Sequence, residues 1–325
     1  MPVTFTIFND PSAPGTTQAF GINDTDQIVG TSGGPPRGFL YSGGTFTTFA
    51  DPLGTTGTEA FGINDMGQIV GSYTASAPGT HGFLLSGGMY TTLNDPLGAE
   101  TEAFGINNAG QIVGSFNIAG VTHGFLLSGG NYTTLNDPLA TGGTVAQGIN
   151  ATGQIVGWYS NASGMHGFLL SGGSYTTLND PLATNGTRAF GINDMGQIVG
   201  TYNTSDGTHA FLYSGGVFTT IDDPVTGHTF AYGINNNGAV AGTLSDGTGN
   251  HGFLRVSGPN PPPPAGTTAD MILRGSNSSS AIAGQYEIYD IGNNAGLTLI
   301  AAVGTTASLR PPDRTRRRPR ALPPT

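Results

Sequence analysis

The chain has 325 residues, with 55 glycines, no lysine, no cysteine and a formal net charge of −10. This composition excludes a long-helix architecture and a disulfide framework, and describes a turn-dense β protein. The charge is unevenly placed: residues 1–257 carry 16 acids and 3 arginines, whereas residues 310–325 carry 6 arginines and 1 acid. An acidic body disfavours nucleic acid as a partner. Met1 to Pro14 shows neither the basic n-region nor the apolar h-region of a secretory signal. No apolar run is long enough to cross a bilayer, so a soluble chain without a membrane partner is expected.

In chain order, V-T-F-T-I-F-N-D-P at residues 3–11 matches the end of a repeat rather than its start. A unit then recurs. Its G-I-N motif begins at Gly21, Gly62, Gly105, Gly148, Gly191 and Gly233, spaced 41, 43, 43, 43 and 42 residues apart. A fixed period of this size marks a repeat architecture. Each full unit holds four runs rich in β-branched and aromatic residues: A-F-G-I-N, Q-I-V-G, G-F-L-L/Y-S, and a Y-T-T-L run closed by Asp-Pro. N-D-x-G joins the first run to the second and S-G-G the third to the fourth; both are hairpin turns that need left-handed residues. These turns stay nearly constant, while the other two links vary from copy to copy. Alternate connections of a meander lie at one end of the sheet. One end therefore carries the constant turns and the other the variable loops.

Four short strands per unit of this length predict an all-β fold, a six-bladed β-propeller of four-stranded blades. The last unit, Tyr232 to Val256, lacks its fourth strand, and Phe5 to Asp10 is the strand left over. The N-terminal strand is expected to close the ring in a velcro-type closure over residues 1–257, which removes both free edges. Residues 258–268 read as a Pro-rich linker. Residues 269–304 contain A-D-M-I-L-R, Q-Y-E-I-Y-D-I and L-T-L-I-A-A-V and read as a small β-rich module. Residues 305–325 read as a basic disordered tail, or as the product of a shifted reading frame or a cut end.

Five of the six histidines share one repeat position at the start of the third strand: His81, His123, His166, His209 and His251. Each repeat also ends its fourth strand on an aspartate: Asp10, Asp51, Asp95, Asp137, Asp180 and Asp223. A ring of His and Asp invites a metal reading. Zinc, however, needs three or four ligands converging at about 2.0–2.2 Å on one ion, and repeat-equivalent positions are spread round a ring. Both sets are therefore expected to be structural, each His bonding a backbone or Asn/Asp group inside its own blade. Asp24, Asp65 and Asp194 are explained by turn chemistry, since no D-x-D-x-D-G-x5-E loop is present. No metal and no cofactor is expected, with weak calcium binding at the acidic loop end left open.

Trp158 is the only tryptophan and is followed by Tyr159 at the edge of a variable loop. The pair reads either as a sugar-stacking ligand site or as filling for a gap between blades. For catalysis, G-x-S-x-G, Walker and dinucleotide motifs are absent. The ionisable residues outside the repeat pattern, Glu59, Glu100, Glu102, Asp206 and His228, are scattered. A non-enzyme is expected.

At His209-Ala210-Phe211, with G-I-N-D-x-G-Q-I-V-G before it and S-G-G-x-F-T-T after it, the chain resembles the HAF-repeat family of probable extracellular bacterial repeat proteins. Most copies here read H-G-F and the first R-G-F. The resemblance covers residues 1 to about 257 and implies secretion and repetition; it carries no ligand or catalytic residue. Residues 269–304 are similar to short modules at the ends of large secreted bacterial proteins. The expectation is a non-catalytic extracellular binding or structural module, a monomer that meets a protein or glycan at its variable-loop face. The alternative is a polysaccharide-active enzyme, a glycoside hydrolase or lyase, with its site on that face.

Overall fold

The computed structural model describes residues 3–76, 79–223 and 227–257, together with the backbone of three C-terminal strands. The chain divides into two units, Met1–Pro259 and Asn260–Thr325. The expected linker at 258–268 and basic tail at 305–325 lie outside the described residues.

The first strand, β1, is Val3–Phe8. A four-stranded meander follows: β2 (Gln18–Ile22), β3 (Ile28–Ser32), β4 (Arg37–Ser42) and β5 (Thr45–Phe49). The next is β6 (Gly57–Ile63), β7 (Ile69–Ala75), β8 (Gly79–Ser86) and β9 (Met89–Leu93). Eight strands then share one sheet: β10 (Ala99–Ile106), β11 (Ile112–Ile118), β12 (Val121–Ser128), β13 (Asn131–Leu135), β14 (Gly143–Ile149), β15 (Ile155–Asn161), β16 (Gly164–Ser171) and β17 (Ser174–Leu178). A further meander holds β18 (Thr187–Ile192), β19 (Ile198–Asn203), β20 (Thr208–Ser214) and β21 (Val217–Thr220). The last repeat gives β22 (His228–Ile234), β23 (Val240–Asp246) and β24 (Gly249–Ser257), and β1 completes this sheet in the order β1-β24-β23-β22. The fold is an all-β propeller.

Period and turn chemistry predict six separate four-stranded sheets. Four stand separately, and β10 to β17 form one eight-stranded sheet, which corrects that expectation. The link is a single parallel pairing of Thr122 with Gly143. Gly143 sits at φ 131°, and a Cβ there would lie 3.0 Å from the Thr122 carbonyl oxygen, so glycine permits the approach.

β1 pairs antiparallel with β24 from Val3↔Ser257 to Phe8↔Gly252. Phe5 meets Phe253 at 5.4 Å between ring centroids, and Phe8 stacks on Tyr41 at 4.3 Å. The core lies between neighbouring sheets rather than at one centre. One cluster joins Phe8, Ala239 and Ala241 to Ala19, Ile22, Ile28 and Phe39, which ties the last repeat to the first. The phenylalanine of each G-F-L or A-F-L run, such as Phe83 or Phe211, has no exposed surface. Burying a side chain of this size stabilises by about 1.5–3 kcal/mol. That ring also explains the glycine of Q-I-V-G. A Cβ on Gly71 would strike the Glu59 carbonyl and approach the Phe83 ring at 2.8 Å.

The second unit contributes β25 (Met271–Gly275), β26 (Tyr286–Ile291) and β27 (Leu297–Val303), an antiparallel three-stranded sheet in that order.

Candidate ligand site on the propeller axis

The first strands of the repeats, β2, β6, β10, β14, β18 and β22, line a common channel. Each carries a β-bulge just before its G-I-N motif, as between Ala19 and Gly21. The bulged residue is Phe20, Phe61, Phe104, Gln147, Phe190 or Tyr232, and these six side chains line a cavity of about 250 Å3. The glycine that follows lets the strands converge: a Cβ on Gly21 would lie 2.7 Å from the Phe61 carbonyl oxygen of the next repeat.

The aromatic residues form a collar. Ring centroids are 5.3 Å apart for Phe20–Phe61, 5.2 Å for Phe61–Phe104, 4.9 Å for Phe20–Tyr232 and 4.9 Å for Phe190–Tyr232. Gln147 interrupts the collar between Phe104 and Phe190. Below it come six isoleucines, Ile22, Ile63, Ile106, Ile149, Ile192 and Ile234, each 7–8% exposed. They line both the aromatic cavity and a smaller one of about 80 Å3 beyond it. Each inner strand runs from the variable loops toward the constant turn, so the aromatic chamber lies on the variable-loop side of the isoleucines.

The constant-turn side is closed by amides. Each G-I-N asparagine donates from Nδ2 to the backbone carbonyl of its counterpart in the next repeat. The donors run Asn23 to Asn64, Asn64 to Asn107, Asn107 to Asn150, Asn150 to Asn193, Asn193 to Asn235 and Asn235 back to Asn23, at 3.0–3.2 Å. A second tier surrounds this circuit: Asp65 Oδ1 accepts from the Asp24 N–H at 2.8 Å, Asp194 Oδ1 from the Ala151 N–H at 2.8 Å, and Asp24 Oδ1 from the Asn236 N–H at 2.8 Å. Asp24, Asp65 and Asp194 thus hold turn to turn.

At the other end of the blades each of the five histidines hydrogen-bonds to an Asn or Asp side chain just past the outermost strand of its own repeat's sheet. His81 Nδ1 pairs with Asn94 Oδ1 at 2.9 Å, His123 with Asn136 at 2.8 Å and His166 with Asn179 at 3.0 Å. His209 pairs with Asp222 at 2.7 Å, and His251 with Asn9 at 2.8 Å, across the β1–β24 junction. The strand-end aspartates are buried. Asp95, for example, accepts the Leu97 N–H on Oδ1 at 2.9 Å and donates its own N–H to Thr101 Oγ1 at 3.0 Å. The same backbone donation recurs from Asp10, Asp51, Asp137, Asp180 and Asp223 to a threonine of the next repeat. The Asp51, Asp95 and Asp137 Oδ2 atoms are buried without a hydrogen bond. At Asp10 that second oxygen instead accepts the Ser32 hydroxyl at 2.6 Å. Burial pushes the Asp10 carboxyl up, but hydrogen bonds from Ser32 and Ser12 outweigh it and hold the group below its ordinary range. At Asp180 burial dominates and raises the carboxyl.

The Trp158–Tyr159 pair does not form one surface. Tyr159 is 2% exposed, packs in a core cluster and shares a hydrogen bond of 3.1 Å with Thr177 Oγ1. Its repeat position is a core position, filled by Tyr73, Phe116, Tyr202 and Leu244 elsewhere. The expectation that Tyr159 stacks on a ligand is therefore corrected. Trp158 lies under the Arg188 guanidinium at 5.4 Å, while Arg188 also donates to Met165 Sδ from Nη2 at 2.6 Å. The tryptophan joins two neighbouring repeats, as a gap-filling side chain does.

Sequence reasoning missed the collar. The signal available was the bulky residue before every G-I-N, together with its single replacement by Gln147.

The inner strands converging on one channel define the chain as a β-propeller. No family model matches the sequence, and no curated protein matches it. Among solved structures the chain is similar to a streptogramin B lyase structure, at 13% identity over 78% of this chain and 97% of that one, with a TM-score of 0.49. It is similar to a mutant of AofleA from Arthrobotrys oligospora, at 12% identity over 79% and 93% of the two chains and a TM-score of 0.50. It is also similar to the β-propeller domain of the Trilobed protease from Pyrococcus furiosus, at 10% identity over 74% and 79% with a TM-score of 0.48. Identities this low speak to fold alone.

Proposed function

We propose that this chain is a non-catalytic extracellular binding module of the HAF-repeat kind, which takes its ligand from the variable-loop face into the axial chamber. The observation that carries this reading is the convergence of five aromatic side chains and Gln147 on one cavity of about 250 Å3. A concave, mostly apolar chamber with few polar groups suits capture of a small molecule or of a projecting group on a larger partner. We count the eight-stranded sheet as two blades, which gives six blades with the N-terminal strand as closure. The β1–β24 pairing and the six-member asparagine circuit support that count.

The alternative, a polysaccharide-active enzyme, draws its support from the neighbouring carboxylates Glu59 and Glu102 on the same face. Burial raises both carboxyls, and Glu59 and Glu100 raise Glu102 further. A binding module retains ligand unchanged. Incubation with glycan and small-molecule arrays, followed by mass spectrometry of the eluate, separates the two. Unchanged ligand, lost when Gln147→Trp fills the chamber, supports the module; product release overturns it.

A further inference from the structure

We propose that the axial chamber takes a neutral guest with a carboxamide head group, recognised by Gln147. This rests on reading the chamber as the ligand site and adds the chemistry of the guest.

Gln147 is the one non-aromatic member of the collar. In ring order the wall is Phe20, Phe61, Phe104, Gln147, Phe190 and Tyr232. Gln147 and Tyr232 therefore flank Phe190 on one half, and three phenylalanines fill the other. The rings pack on one another, with centroids 4.9–5.3 Å apart and planes inclined at 54–68°. The polar groups do not. Among the described residues, neither the Gln147 carboxamide nor the Tyr232 hydroxyl has a hydrogen-bond partner. The asparagine amides that close the constant-turn side are all committed to the next repeat, as Asn150 is to the Asn193 carbonyl at 3.2 Å.

The lining favours a neutral guest. It contains no charged side chain. Burying an ion without a partner costs far more than burying a neutral polar group. The strands place charges of both signs two residues before the collar, Glu59 on β6, Glu102 on β10 and Arg188 on β18, so neither sign of guest is preferred. A neutral polar group must still find its hydrogen bonds inside the chamber. A carboxamide carries an acceptor oxygen and two N–H donors in one plane, so a primary amide pairs with the Gln147 side chain through two antiparallel N–H to O bonds. Burial pushes the Tyr232 hydroxyl up to about 12, with Arg188 opposing, so it remains a donor at neutral pH for the second lone pair of the guest carbonyl. The phenylalanine half accepts the apolar remainder of the guest.

NMR titration of the full chain with 3-methylbutanamide, its methyl-ketone isostere 4-methylpentan-2-one and its anionic isostere 3-methylbutanoate tests the assignment. The amide should bind at least about tenfold more tightly than either, a difference of about 1.4 kcal/mol. Gln147→Leu should bring the amide down to the ketone and leave the ketone unchanged. Tyr232→Phe, which keeps the ring, should weaken the amide several-fold, with circular dichroism checking the fold of both variants. Equal affinity for amide and ketone, or tighter binding of the carboxylate, would overturn the head-group assignment while leaving the chamber as a ligand site. An amide preference that survives Gln147→Leu would overturn the role of Gln147. Absence of amide binding, alongside another array ligand that Gln147→Trp displaces, would overturn the assignment too. Absence of every ligand would overturn the binding-module reading as well.

Discussion

Asn235 Nδ2 donates to Asp26 Oδ1 at 2.8 Å across the junction between the last repeat and the first. In the four repeats from Asn64 to Asn193 the equivalent amide bonds a glutamine of its own turn, as Asn193 does to Gln197 at 2.9 Å. Ala239 has replaced that glutamine in the last repeat, and Asp26 stands at φ 58° where the other repeats have glycine. Two departures from the repeat thus compensate each other. Asp26→Gly should relieve backbone strain but remove a partly buried hydrogen bond to a carboxylate, itself worth about 1.5–3 kcal/mol. A net loss is expected in urea unfolding, and adding Ala239→Gln should recover part of it. Strict additivity of the two changes would refute the coupling.

The second tier of turn contacts has one gap. The Asp65 N–H donates to Asn108 Oδ1 at 2.9 Å, and the Ala151 N–H to Asp194 Oδ1, but Ala151 has no side-chain oxygen to offer Asn108. Ala151→Asn should stabilise the chain by about 0.5–1 kcal/mol, the value of one ordinary hydrogen bond. A lower melting temperature would show that the circuit does not extend to this turn.

Acid should weaken the Asp10 contact. Its folded-state pKa lies below its unfolded value, so its contribution is complete above the ordinary carboxyl range and is lost as pH falls through the folded value. Ser32→Ala should cost about 1–3 kcal/mol at neutral pH, because one buried carboxylate oxygen loses its donor. The difference from the parent should shrink as pH falls below the ordinary value of 3.8. A pH-independent difference would contradict the assignment.

Glu102 runs the other way. Its folded-state pKa is raised, by burial first and by Glu59 and Glu100 next, so protonation favours the folded state. Stability from this group is full below the unfolded value of 4.5 and is lost as pH rises through the folded one. Glu102→Gln should therefore raise the melting temperature at neutral pH and lose that advantage in acid. An unchanged melting temperature at neutral pH would contradict the burial.

The N-terminal strand should be indispensable. Phe8 is 6% exposed and packs with residues of both the first and the last repeat. Phe8→Ala should cost about 3–5 kcal/mol. Deleting residues 1–11 should also strip His251 of its Asn9 partner and broaden thermal unfolding; an unchanged transition would argue for an open stack.

Strands, turns and the orphan N-terminal strand, expected at Phe5 to Asp10 and found at Val3–Phe8, were legible because they depend on local period and turn chemistry. The collar was not. Phe190 reads in sequence as one more apolar residue packed between sheets, and only the β-bulge and the convergence of inner strands bring it to the axis. Tyr159 failed for the opposite reason. Beside a unique tryptophan it reads as exposed, whereas its repeat position points into the core. The eight-stranded sheet hangs on the conformation of Gly143, which no repeat pattern encodes.

Fluorine NMR of protein carrying 4-fluorophenylalanine, assigned with single Phe→Leu variants, tests the axial site most directly. On ligand addition the signals of Phe20, Phe61, Phe104 and Phe190 should shift together, while those of the fully buried Phe83 and Phe211 stay in place. A bound ligand that leaves the four collar signals unmoved would contradict the account.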